Sequence, residues 1–304
     1  SSRESAYRRQ PDEQYGWISW NRGTKKLAAF KAAGEIQDNM ILGLGTGSTV
    51  YHLIVKMAER VRGGLSIHAA ATSARTEELA AHYGIPLIPF HGAQQIHLAI
   101  DGVDAIDPDF HSIKGGGGAL FREKVIALKA LRVIWIMDQS KLVPTLNGLT
   151  LPVEVVPFAL EYVEEQVRAM GFTSCLRRNG DGPAEDRPDR GRLDKSGLDR
   201  SRLDRNGLIR NGLVRSGLVR SGLVRSGLVR SGLSGDNPGA NAFLTDNGNY
   251  ILDLQGKEGM DYRLMAGKLK ALTGVVETGL FGNICEKIIV GTKDGVMVKS
   301  PAKP

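Results

Sequence analysis

Along this chain, short apolar runs alternate with stretches of helical composition, and the junctions between them are turns rich in glycine or hydroxyl side chains. Residues 40–44 (MILGL), 65–71, 85–88, 96–100 and 133–137 (VIWIM) are brief, largely apolar and bounded by turn residues, which predicts buried strands. Residues 24–36, 50–61, 77–83, 119–127 and 162–170 have helical composition; Thr24 is a candidate N-cap for the first helix, and Thr72 or Ser73 for the third. This alternation predicts an α/β fold, a mainly parallel sheet with helices on both faces, and ligands gathered where strand C-termini meet helix N-termini. Further along, Asp246-Asn247-Gly248-Asn249 predicts a hairpin turn between strands.

The periodicity then breaks. Leu193, Leu198, Leu203, Leu208, Leu213, Leu218, Leu223, Leu228 and Leu233 recur every five residues, and from Leu213 the unit LVRSG repeats verbatim four times. A period of five matches neither the α-helix nor the strand, so no single apolar face forms. The spacing is that of pentapeptide-repeat β-helices, but nine leucines supply only about two coils, without evident caps. The preferred reading is a flexible, low-complexity surface insertion over 177–238, and residues 1–23 read as a flexible extension.

Charge follows the same division. Between Arg177 and Arg230 there are fourteen Lys/Arg and seven Asp/Glu, a surplus equal to the net charge of +7 of the whole chain. Basicity therefore belongs to the repeat, where weak, salt-sensitive contact with nucleic acid is the most it implies. Aromatic residues for base stacking are missing from it. No window approaches a membrane span, residues 1–17 lack the apolar core of a secretory signal, and Cys175 and Cys285 lie far apart without metal-site spacing. The expectation is a cytoplasmic enzyme-like body without membrane contact.

Chemistry concentrates in residues 101–124, DGVDAIDPDFHSIKGGGGALFREK. Asp101 and Asp104 fall at the C-terminal edge of a predicted strand. Lys114 precedes Gly115, Gly116, Gly117 and Gly118, a run able to turn backbone N–H groups toward an anion because no Cβ blocks approach. Glu123 follows about one turn inside a predicted helix. A second candidate is Gly45-Thr46-Gly47-Ser48-Thr49, between a strand and a helix, which is either a phosphate-binding turn or a simple capped βα turn. It is neither a Walker A loop nor a complete dinucleotide fingerprint. Lys141 stands at a further strand edge, and Lys25, in the first turn of its helix, reads by itself as a surface lysine.

These residues resemble the active-site segment of type A ribose-5-phosphate isomerase, whose DGADE, KGGGG-like and REK runs are met here as DGVDA, KGGGGAL and REK in the same order. The resemblance spans roughly 24–176 and 240–298. It includes a GxGTGST phosphate loop, LPVEVVPF, the segment around Asp246 to Asn249, and residues 274–281. It implies a Rossmann-like catalytic domain over 24–150, a smaller α+β lobe over 151–176 and 239–298 that returns to the main domain, and assembly as a homodimer or homotetramer. It also implies interconversion of D-ribose 5-phosphate and D-ribulose 5-phosphate through an enediolate, with no cofactor and no metal. On this reading Glu123 is the base, Lys114 with the glycine N–H groups stabilises the oxyanion, and Asp101 and Asp104 bind sugar hydroxyls and assist ring opening. Thr46, Gly47, Ser48, Thr49, Lys141 and Lys25 hold the phosphate, and Gly102, Val103, Gly115, Gly116 and Gly117 complete the substrate site. Val103 and Ala105 depart from DGADE, so one carboxylate is missing. Two other readings share the fold: an amino-sugar-phosphate isomerase/deaminase, which would need a ring-opening histidine such as His111, and a sugar-phosphate sensor that binds without turnover.

Deleting residues 180–238 and closing the gap with a short Gly/Ser linker is expected to leave thermal unfolding and turnover largely unchanged, because loop closure costs only about 0.6 kcal/mol per doubling of length. A fall of several degrees in melting temperature would show that the leucine array packs on the body.

Overall fold

The computed structural model describes residues 22–93, 95–180 and 241–301. Most of the predicted extension (1–23) and of the repeat (177–238) lies outside the described residues. The chain runs α1 (Arg22–Ala33), β1 (Met40–Leu44), α2 (Ser48–Arg62), β2 (Ile67–Ala71), α3 (Ala74–His82), β3 (Ile96–Asp101), β4 (Ala105–Ile106), β5 (Ser112–Ile113), α4 (Leu120–Lys129) and β6 (Ala130–Asp138). It continues through β7 (Leu151–Val155), α5 (Leu160–Ala169), β8 (Phe172–Leu176), β9 (Tyr250–Gly256), α6 (Tyr262–Lys270), β10 (Val275–Thr278), β11 (Leu280–Phe281), β12 (Lys287–Thr292) and β13 (Gly295–Lys299). None of the described helices is long and apolar enough to cross a membrane.

The main sheet has the order β13-β12-β6-β3-β1-β2, parallel except for the antiparallel edge strand β13. The α/β expectation therefore holds, and α1, which packs on both β6 and β12, and α2 cover one face while α4 lies against β3 and β6. Helix α2 buries Val50, Leu53, Ile54, Met57 and Ala58, the i, i+3, i+4 stripe that fixes its inward face. Ser73 caps α3 by accepting from the Thr76 N–H at 3.1 Å, as predicted. Two local expectations fail. Thr24 is the third residue of α1, not its cap. Residues 85–88 form no strand: Pro86 and Pro89 remove the donors a ladder needs, and only Leu87 bridges to Ala69.

Strand order reverses around β1, whose successor β2 lies on one side while β3 lies on the other. That reversal opens a crevice above the C-termini of β1 and β3, the usual ligand position in such sheets. Gly45 sits in it, donating its N–H to the Ile100 carbonyl at 3.0 Å. A Cβ at Gly45 would lie 1.9 Å from Asp101 Oδ1, so only glycine lets the two loops approach this closely.

A second, antiparallel sheet of order β10-β7-β9-β8 forms the smaller lobe. Its core joins β7 and β9 to α5 and α6 through Leu151, Val153, Val163, Leu252, Leu254 and Tyr262. Glu154, fully buried on β7, is the hub for the predicted 246–249 turn: its Oε1 accepts from Thr245 Oγ1 at 3.0 Å, Asn247 Nδ2 at 3.0 Å and Asn249 Nδ2 at 2.8 Å. After β8 the chain stays in the body. Arg177 N–H donates to the Ile251 carbonyl, Phe243 N–H to the Arg177 carbonyl and Asn179 N–H to the Asn241 carbonyl, each at 2.9 Å, so residues 177–179 and 241–243 form a closed antiparallel neck. A small third sheet, β11-β5-β4, links the lobe to the crevice.

Gly45→Ala is expected to cost about 1–3 kcal/mol through overpacking against Asp101. Gly267→Ala, in the middle of α6 with open space around its Cβ position, should stabilise by about 0.5–1 kcal/mol. Urea midpoints of the two variants against wild type check both signs; a wild-type midpoint for Gly45→Ala would show that the loops above β1 and β3 can separate without cost.

Candidate active site

The crevice is a cavity lined by Lys25, Thr46, Gly47, Ser48, Thr49, Gly102, Val103, Asp104, Lys114, Gly115, Gly117, Glu123 and Lys141. Every one of these was singled out from the sequence; Asp101 and Gly116 lie immediately behind the lining. One end of the cavity is the N-terminus of α2, whose first N–H groups have no partners within the helix and carry its positive dipole end. Lys25, only 6% exposed, reaches it from α1 and donates from Nζ to Ser48 Oγ at 2.9 Å, so it is not a surface lysine. Lys141 approaches from the 3-10 turn that follows β6. Thr46 faces the other way: its hydroxyl joins those of Thr72 and Ser73, each at 2.8 Å, and of Thr76 at 3.1 Å, while its N–H donates to Asp101 Oδ1 at 3.0 Å. The hydroxyl of Thr46 thus fixes the loop.

At the opposite end, the Lys114 ammonium lies 2.9 Å from Asp101 Oδ2 and 3.4 Å from Glu123 Oε2, and donates to the Gly102 carbonyl at 2.5 Å. All three side chains are buried. Burial alone would lower the lysine, but Asp101, Glu123 and Asp104 outweigh it and hold the ammonium above the ordinary lysine range. Burial raises both carboxyls, with Lys114 opposing; for Glu123, further pushed by Asp101 and Asp104, the result is about 8. One cation cannot fully compensate two buried carboxylates, so a proton is held at the pair. Asp101 also accepts from the Thr46 and Gly102 N–H groups, at 3.0 and 2.7 Å, which favours the anion there and the proton on Glu123. Glu123 gets to this position because α4 begins at Leu120 and turns residues 120, 123, 124 and 127 to one buried face. On that face Lys124 is consumed structurally, donating to Glu277 Oε1 and the Thr278 and Leu280 carbonyls at 2.9, 2.6 and 2.9 Å.

The glycine run is more tied down than its sequence suggests. Gly116 N–H donates to Asp104 Oδ2 at 2.7 Å and Gly118 N–H to the Gly115 carbonyl at 3.0 Å, so these two N–H groups are committed within the loop. Gly115 and Gly117 line the cavity. Asp104 therefore serves the loop as well as the lining.

Ala105, where DGADE carries a carboxylate, is buried on β4 within the smaller lobe's core. The departure leaves the cavity intact. His111 does not line the cavity; its Nδ1 lies 3.7 Å from Asp107 Oδ1 on the β4–β5 connection. The fold gathers Asp107, Asp109 and His111 there, a clustering the sequence reading had not foreseen, but Asp107 Oδ1 accepts from the Asp109 and His111 N–H groups and Asp109 pairs with Arg263 at 2.9 Å. Those bonds account for the turn. Sequence reasoning missed Arg177 and Asp253 behind the glycine run, and the Glu154 hub; a glutamate inside an otherwise apolar strand, LPVEV, was the available signal for the latter.

A sequence model of the ribose 5-phosphate isomerase A (phosphoriboisomerase A) family matches residues 68–190 and 215–295. The chain is 36% identical over 275 residues to a protein of Sphingopyxis alaskensis named ribose-5-phosphate isomerase A, covering 90% of this chain and 95% of the relative. Among solved structures it is similar to ribose 5-phosphate isomerase A of Methanocaldococcus jannaschii, with a TM-score of 0.69, 27% identity and coverage of 92% and 100%. It is similar also to a D-ribose-5-phosphate isomerase solved in complex with phospho-erythronic acid, with a TM-score of 0.68, 30% identity and coverage of 91% and 97%.

Lys114→Met should expose the electrostatic cost of the pair. Without the cation both carboxyls rise further above their unfolded values, so folding takes up protons, and that stabilisation is present at low pH and lost as pH rises from 4.5 to beyond the wild-type Glu123 value of about 8. The variant is expected to be less stable than wild type by about 3–5 kcal/mol at pH 8, with a smaller gap at pH 5. Urea unfolding at the two pH values checks it; a gap that widens in acid would contradict the arrangement.

Proposed function

Because the chain belongs to the ribose 5-phosphate isomerase A family, we propose that it interconverts D-ribose 5-phosphate and D-ribulose 5-phosphate with Glu123 as the proton carrier. The observation that carries this reading is the position of Lys114 between Asp101 and Glu123, at the end of a cavity whose other end is a helix N-terminus flanked by Lys25 and Lys141. The phosphate would be held by the N–H groups at Gly47, Ser48 and Thr49 and by the two lysines, which sets the open-chain sugar with its carbonyl end at Lys114. Glu123 in its carboxylate form removes the proton from C2 of the aldose and the carbonyl oxygen O1 becomes an enediolate oxyanion; the hydroxyl proton on O2 then passes to O1 as C2 becomes the carbonyl, and the same carboxyl returns its proton to C1 of the ketose.

Lys114 and the cavity-lining glycine backbone stabilise that oxyanion as its charge develops. Asp101 keeps Lys114 charged and in place, and Asp104, with Gly102 and Val103, receives the sugar hydroxyls. Burial that lifts Glu123 makes it a stronger base once deprotonated, suited to a weakly acidic C–H near neutral pH. Assembly of two or four copies belongs to the same reading, with Phe158, Leu131 and Leu264 among the large apolar side chains left exposed. Since His111 stands outside the cavity lining, no comparable observation favours the amino-sugar reading.

Glu123→Gln is expected to abolish isomerisation while leaving substrate affinity within about tenfold, since the amide keeps the shape but accepts no proton. In wild type, kcat/KM should rise with pH and reach half its plateau near the free-enzyme value of about 8, because only the deprotonated carboxyl acts as base. Ribulose 5-phosphate formation followed over pH 6–9 checks both; near-normal turnover by the glutamine variant would remove Glu123 from the role.

A further inference from the structure

Arg177 emerges from β8 at the neck and turns its guanidinium inward, where it is 4% exposed. Nε and Nη2 donate to the two oxygens of Asp253 on β9, at 2.8 and 2.5 Å. Nη1 is left for the glycine run, donating to the carbonyls of Gly115 at 2.7 Å and Gly116 at 3.0 Å. The face of the group lies against Phe243, 6.0 Å from the ring centroid. A fully paired, buried cation is thus spent on two backbone carbonyls of the loop that borders the cavity.

In a trans peptide the C=O and the following N–H point to opposite sides. The Gly115–Gly116 peptide shows the consequence: its carbonyl is on Arg177 and its N–H on Asp104, a cavity-lining residue on the far side. The next peptide is held in the same sense, its Gly116 carbonyl on Arg177, so its Gly117 N–H is directed away from the guanidinium, and Gly117 lines the cavity. Four glycines in a row have no intrinsic preference for this orientation, since glycine populates both signs of φ.

We propose that Arg177, locked by Asp253, is a positioning residue that presets the Gly117 N–H as a donor to the enediolate oxygen. The inference rests on the isomerase reading above and adds to it the group that orients the oxyanion donor. A purely structural role would tie the smaller lobe to the loop and act on stability alone. A positioning role acts on the transition state and spares the phosphate end of the site.

The test compares Arg177→Lys, Arg177→Met and Asp253→Asn with wild type and Glu123→Gln. Lysine retains the charge but cannot meet two carbonyls and a carboxylate at once. The expected result is a fall in kcat of about 10- to 100-fold in both Arg177 variants, as for a lost or misdirected oxyanion donor, and a smaller fall for Asp253→Asn. KM for ribose 5-phosphate and inhibition by inorganic phosphate should stay within about threefold, while phospho-erythronic acid, whose carboxylate resembles the enediolate, weakens in step with kcat. Should Arg177→Met fail to fold, Arg177→Lys and Asp253→Asn decide. Unchanged kcat in the folded variants overturns the inference, as does a loss shared equally by phosphate binding. If wild type turns over, Glu123→Gln is dead and the Arg177 variants match wild type, only this inference falls; an inactive wild type overturns both.

Discussion

Everything around the cavity depends on one ammonium group facing two buried carboxylates. Lys114 lies 5.2 Å from the Trp135 ring centroid and 5.6 Å from that of Phe281, so its surroundings on that side are aromatic and dry. In such a place charge is expensive, and the surplus of carboxylate over cation can only be relieved by retaining a proton. The same scarcity that makes the site costly to fold lifts the Glu123 carboxyl to about 8, which is what the base proposed for this site requires. Stability and reactivity are two readings of one imbalance.

The sheet supplies the geometry that keeps this imbalance in register. Asp101 ends β3, Gly45 follows β1, Glu123 comes from the connection between β3 and β6, and Lys141 follows β6, so three adjacent parallel strands send their loops to one edge. The smaller lobe contributes from outside. Its Gly279 carbonyl accepts the Lys114 N–H at 2.9 Å, and Arg177 and Asp253 brace the glycine run. The cavity is therefore a joint product of two sheets, although its lining comes wholly from the first 141 residues.

Much of this was legible in the order of residues. The strands around Leu42, Leu98 and Ile134 and the cavity residues from Lys25 to Lys141 are local patterns: an apolar run, a glycine turn, a helix. What stayed hidden was long-range. Arg177 looks like the first of many arginines in a basic stretch until β8 places it 2.7 Å from Gly115, and Thr46 looks like a phosphate ligand until the hydroxyls of Thr72, Ser73 and Thr76 claim its side chain. Residues 85–88 failed for a local reason that was on view, since two prolines in five residues outweigh apolar character.

The placement of β12 bears on how the chain matures. This strand pairs in parallel with β6, yet the whole smaller lobe and the repeat are synthesised between them, and α1, among the first elements made, packs on β12, among the last. At Gly291 the strand passes so close to α1 that a Cβ would meet the Thr24 carbonyl oxygen. On the ribosome, β6, paired with β3 on one side, must therefore wait as an edge strand, its β12 side along Val133, Ile134, Trp135, Ile136 and Met137 unpaired until the C-terminal segment emerges. Each added copy of the five-residue unit prolongs that exposure, so the length of the repeat sets a kinetic hazard during translation even where the finished body is indifferent to it.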